Sequence, residues 1–84
     1  MNEKVIKALV EAGAVRQVRI IANGAHFYVE VDTGNTRKPA ETISGKMKTW
    51  RSLDATAKWV RSIGIGEASL QLGRWTPNQK MMRV

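Results

Sequence analysis

The 84-residue chain is 43% hydrophobic and carries no Cys. That length holds one modest core, and the composition excludes disulfides, thiolate chemistry and Cys-based metal sites. Fourteen Lys and Arg against seven Asp and Glu give a net charge of +7 and a pI near 10.4, a field that attracts polyanions.

Residues 2–12 read as a helix. Asn2 is an acceptable N-cap, Glu3 suits the positive helix end, and Gly13 stands where a left-handed residue is wanted. Val5, Ile6, Leu9 and Val10 form an apolar stripe at helical spacing. This stripe is amphipathic and no run of about 18 apolar residues follows, so neither a signal peptide nor a membrane span is expected, and a cytoplasmic location is the default.

Residues 16–31 carry the strongest local signal. Two runs rich in apolar and β-branched residues are split by Asn23-Gly24, the pair that suits a two-residue type I′ hairpin turn because both tolerate positive φ. With those two at the turn centre, Ala22 faces Ala25, Ile20 faces Phe27, Val18 faces Val29 and Arg16 faces Val31. On the second face, Ile21 meets His26, Arg19 meets Tyr28 and Gln17 meets Glu30. The first set is built for a core. The second is polar and aromatic, and Arg19 opposite Tyr28 suits a cation–π pair or a stacking surface beside a phosphate contact.

Asp32 to Asn35 signals a second turn, and Thr36 to Ile43 returns as a third strand that Pro39 confines to an edge. Ser44-Gly45 marks a third turn, followed by a short basic strand over residues 46–51 with Lys46, Lys48 and Trp50 on one face. Residues 52–63 form the second helix, with Ser52 as N-cap and Gly64 at the C-terminal left-handed position. Trp59 falls on its apolar side, with Asp54, Lys58 and Arg61 opposite. Residues 67–72 alternate and read as a final strand with Ala68, Leu70 and Leu72 inward. Trp75 either folds back beside Leu72 or projects as an anchor.

The expected fold is α+β: residues 1–75 as a single domain, with an antiparallel sheet of three to five strands built on the Asn-Gly hairpin, one helix packed on it and an additional N-terminal helix. Residues 76–84 are expected to be a flexible basic tail.

Enzymatic chemistry is not expected. One His, no paired carboxylates in a recognisable motif and no phosphate-binding loop leave nothing to carry it, and no cofactor or metal is implied. Binding is better supported. Between residues 37 and 61, seven basic residues stand against two acidic ones, and the basic strand places an indole among positive charges, a combination that holds a nucleic-acid backbone and stacks on a base. The candidate nucleic-acid-binding residues are Arg19, Tyr28, Lys46, Lys48, Trp50 and Arg51. Trp50 is open to two readings, core or contact.

The run from Lys48 to Gly66 is similar to a Thr-Trp-x-Ser-Leu-Asp-Ala-Ala-Ala-Lys-Trp-x-Arg-Ser-Leu-Gly-Ile-Gly segment of the ParC family of small plasmid partition-associated proteins, distinct from the topoisomerase subunit of that name. Ala22 to Val31 and Leu70 to Trp75 also resemble that family, so the resemblance covers roughly residues 15–76. It implies a role in plasmid maintenance beside a ParA-type ATPase and a centromere-binding protein, and brings no catalytic residues with it. The expected function is that of a small basic plasmid-maintenance protein that binds DNA through a basic and aromatic sheet face. The alternative is an adaptor or homodimeric accessory factor of the partition machinery, suggested by the apolar first helix, Trp75 and Met81-Met82.

Overall fold

In a computed structural model of the chain, residues 1–76 are described, so all but the first residue of the expected basic tail lies outside the described residues. The elements are α1 (Glu3–Glu11), β1 (Gln17–Gly24), β2 (His26–Asp32), β3 (Arg37–Pro39), α2 (Leu53–Ser62) and β4 (Ser69–Trp75). The four strands form one sheet in the order β3-β2-β1-β4.

Both helices begin on the caps read from sequence. The Asn2 side chain accepts from the Val5 amide at 2.9 Å, and Ser52 Oγ accepts from the Ala55 amide at 3.1 Å. Each satisfies an amide that has no partner inside its helix.

The sheet departs from expectation in one respect of topology: β4 pairs parallel to β1, so the sheet is mixed rather than antiparallel. β1 has one edge closed by its hairpin partner. A strand returning after a crossover helix can run parallel to β1 along the other edge, an arrangement no tight turn can supply.

The hairpin departs in register. Asn23 pairs with His26, Ala22 with Phe27, Ile20 with Val29, Val18 with Val31, and Arg19 with Glu30. Gly24-Ala25 therefore occupy the turn centre, one residue on from Asn23-Gly24, which moves every cross-strand partner by two. Gly24 has φ +66° and no non-glycine residue among those described has positive φ, which removes the type I′ turn and fits a turn that needs only its first central residue left-handed. The displaced register wins because of what it pairs. It sets Val31 against Val18 rather than Arg16, and Arg19 against a carboxylate rather than Tyr28. A shift of two preserves which side chains share a face, so the core set survives the change.

That core joins Val18, Ile20, Ala22, Phe27, Val29 and Val31 of the sheet to Ile6 of α1, Val60 of α2, and Ile63 and Ile65 beyond it. Both helices thus serve one face of the sheet. Thr56 is fully buried, and its hydroxyl donates to the Ser52 carbonyl at 2.8 Å. Ile6 is the only buried residue of α1; Val5, expected in the same stripe, is 46% exposed.

The third strand is shorter than read, only Arg37–Pro39. The Ala40 amide still donates to the Val29 carbonyl of β2 at 2.8 Å; beyond it the chain leaves the sheet, and the expected basic strand over residues 46–51 is not a strand. It touches its neighbours through two isolated bridges, Met47 with Glu41 and Trp50 with Phe27. The chain makes a small hairpin over residues 41–47, then rejoins the β2 edge at Trp50, whose amide and carbonyl exchange hydrogen bonds with Phe27 at 2.9 and 2.8 Å.

Candidate nucleic-acid interface

The sheet face away from the helices carries Arg19 and Tyr28, because they alternate with the buried residues of β1 and β2. Arg19 is not opposite Tyr28; Ile21 is. The guanidinium instead lies 3.4 Å from Glu30 Oε1 and 3.4 Å from Asp32 Oδ2, and donates to Gln17 Oε1 at 3.0 Å. Arg37 Nε lies 3.8 Å from the same Glu30 oxygen. Two arginines thus meet two carboxylates, and the net charge of the cluster is cancelled locally. The expected Arg19–Tyr28 stack does not form, since the register hands Arg19 to the acids.

Asp32 is bound into this cluster twice. The Gly34 amide donates to its carboxylate at 2.7 Å, and this bond first, with Arg19 adding to it against the opposing effect of burial, holds its pKa below the ordinary 3.8. A carboxyl with a depressed folded pKa contributes stability that is fully present above its unfolded value and is lost as pH falls through the folded one. Thermal melts should therefore fall below about pH 4, and Asp32→Asn should show a smaller acid-induced drop than the native chain. An equal drop in both would remove Asp32 from the account of acid stability.

The surplus of positive charge lies off this cluster, and much of it borders the helix-bearing side. Because directly opposed residues of an antiparallel bridge share a face, Trp50 lies with Phe27 on the core side. Its ring sits 4.9 Å from that of Trp59 in α2, and both indoles pack against the core cluster. Lys48 Nζ stands over both, 5.7 Å from the Trp50 ring and 5.8 Å from the Trp59 ring, within the range of cation–π attraction. Trp59 Nε1 donates to Glu3 Oε1 at 3.0 Å, tying α2 to α1. That bond, ahead of the nearby Lys7 and Lys48, lowers the Glu3 pKa against the opposing effect of burial.

Beside this stack a groove of about 970 Å³ runs between α1 and the 41–47 hairpin, lined by residues that include Lys4, Lys7, Glu41, Ile43 and Lys48. Its acids are engaged. Glu3 holds Trp59 and lies 3.6 Å from Lys7, and Glu41 lies 3.0 Å from the Met1 amino group. Lys4 and Lys46 are exposed and make no ion pair among the described residues.

Of the six residues singled out from sequence, Lys46, Lys48, Trp50 and Arg51 thus share one segment at the β2 edge, while Arg19 and Tyr28 lie on the other side of the sheet. Trp50 is half-buried and stacked, so it shapes the surface rather than presenting a free ring. Glu3, Lys4 and Trp59 were not singled out, since the Glu3–Trp59 bond and the groove that Lys4 lines with residues 41–48 join positions far apart in the chain. Ile43 could have been noticed, because an isoleucine beside Ser44-Gly45 is an unusual choice for a turn. Among the described residues no group of three or more His, Cys, Asp or Glu could hold a metal ion, and no helix is long and apolar enough to cross a membrane. Comparison with family models, curated proteins and solved structures returns no match to the chain.

Proposed function

We propose that the chain is a small non-enzymatic accessory protein of plasmid maintenance that binds DNA through the basic segment Lys46–Arg51 and the lysines around it. The observation that carries this reading is the partition of charge. One sheet face cancels its own charge around Arg19, while Lys46 and Arg51 stand exposed on the segment beside β2, with Lys48 poised above paired indoles on the helix-bearing side. Such a surface suits a phosphate backbone, whose contacts set register and supply most sequence-independent affinity. The plasmid setting comes from the resemblance to the ParC family alone. A fluorescence titration with labelled plasmid and random duplexes tests the reading: binding at about 50 mM salt that weakens steeply towards 200 mM is expected, and no binding at the lower salt contradicts it.

The adaptor reading also has an observation in its favour. β4 ends the sheet, all seven of its residues are exposed, and Leu70, Leu72 and Trp75 remain 41%, 42% and 40% exposed. At the other edge, β3 is three residues long and ends in Pro39, the usual means of discouraging edge-to-edge pairing. β4 carries Arg74 and an irregularity where its register against β1 shifts between Gln71 and Arg74, yet it presents seven residues against the three of β3. Sedimentation at high micromolar concentration separates the cases: self-association that Leu72→Lys abolishes supports the adaptor reading, and a monomer at every concentration counts against its self-associating form.

A further inference from the structure

We propose that Ile43 is an apolar wedge that enters the minor groove of duplex DNA and opens a base step, while the lysines beside it hold the flanking phosphates. This rests on the DNA-binding reading above and names how that surface would engage its partner.

Ile43 is 96% exposed, the most exposed large hydrophobic residue among those described. Its position is a tight turn. The Gly45 amide donates to the Thr42 carbonyl at 2.9 Å, which makes Ile43 the second residue of a four-residue turn, and Gly45 follows at φ +91°. Local chemistry favours Pro, Asp, Asn, Ser or Gly in such turns, and a β-branched apolar residue serves none of those purposes.

A wedge must also be stiff, and this one is. The Thr42 amide donates to the Lys46 carbonyl at 2.7 Å across the hairpin, and the Thr42 hydroxyl lies 3.0 Å from that of Ser44. At the base, Glu41 bridges to Asn2 before α1, and the Lys48 amide donates to the Ala40 carbonyl at 2.9 Å. The tip therefore projects from a braced support rather than swinging on a loop.

The surroundings select the partner. Lys4 and Lys48 line the groove that Ile43 borders, and Lys46 follows three residues past the tip. Apolar side chains such as Ile inserted at a base step, flanked by cations on the phosphates, are how minor-groove architectural proteins unstack and kink a duplex. A lipid surface is the weaker fit. Membrane affinity scales with buried apolar area, and the hairpin offers Ile43 among hydroxyls at its tip, with the half-exposed Met47 as its one other large apolar side chain.

The test needs no knowledge of the target sequence. A nicked plasmid is saturated with protein, sealed with ligase, stripped of protein and resolved by linking number. The native chain is expected to leave a linking-number deficit, because opening base steps untwists the duplex. Ile43→Ser, at a site with no packing to lose, should bind with an unchanged salt slope and leave no deficit at equal occupancy. A deficit identical in the variant, or absent in the native chain at saturation, overturns the wedge while leaving DNA binding intact. Failure of the native chain to bind DNA at all overturns both. Ile43-dependent binding to vesicles of phosphatidylserine without any linking-number change would assign the tip to lipid and reject the wedge.

Discussion

Ile6→Ala is expected to destabilise the fold by about 2–5 kcal/mol, the usual cost of truncating a fully buried isoleucine to alanine. Ile6 is 0% exposed and is the only buried residue that α1 contributes. A domain of this size has total stability of the order of 5–15 kcal/mol, so the loss is a large fraction of it. The consequences extend past the cavity. α1 also carries the Glu3 carboxylate that receives the Trp59 indole N–H, and its cap residue Asn2 bridges to Glu41 at the foot of the hairpin. Loosening the helix therefore loosens the support of the basic segment. Urea denaturation of Ile6→Ala beside Val5→Ala makes the comparison, because Val5 is adjacent and 46% exposed. The second change should stay within about 0.5 kcal/mol of the native chain. Equal losses at the two positions would mean that α1 is not held by its single buried side chain.

The second large effect is on DNA binding. Replacing Lys46, Lys48 and Arg51 together by glutamine should flatten the dependence of log affinity on log salt by up to about 2.7, at roughly 0.9 for each phosphate that is no longer neutralised. Of the three, Lys48 also touches the protein, through the Trp50 and Trp59 rings. Removing its charge from above those rings costs about 0.5–1 kcal/mol of stability, small enough for the triple variant to remain folded and for its melting curve to show it. Arg37→Gln is the matched control: its charge is already taken up by Glu30, so the slope should not change. A triple variant with the native slope would place the phosphate contacts elsewhere.

The elements set by local chemistry were legible in the sequence. Asn2 and Ser52 cap the two helices because their side chains satisfy amides three residues on, a relation contained within a few positions. The alternation of β1 and β2 separates Val18, Ile20, Ala22, Phe27, Val29 and Val31 from the polar face in any register of the same parity. The register itself was not legible from the turn. Asn23-Gly24 is a good type I′ pair, but pairing Val18 with Val31 and Arg19 with Glu30 depends on the whole length of both strands, and that sum outweighed a local preference.

The candidate site was legible in part for the same reason. Lys46, Lys48 and Arg51 could be read as a concentration of charge. That Lys48 stands over Trp59 as well as Trp50, and that Trp59 reaches Glu3 from 56 residues away, follows only once α1 and α2 lie on one face of the sheet. The parallel placement of β4 is likewise a matter of topology, because the sequence of a strand does not state its direction beside a neighbour.

The central claim is that DNA meets the Lys46–Arg51 side and not the Arg19–Tyr28 face. Titrating a short duplex into isotopically labelled protein at about 50 mM salt, with NMR signals followed residue by residue, addresses it most directly. The account predicts shifts gathered over residues 42–51 and the first turn of α1, with the Arg19 and Tyr28 side-chain signals unmoved. Shifts centred on Arg19 and Tyr28, or none anywhere, would contradict it.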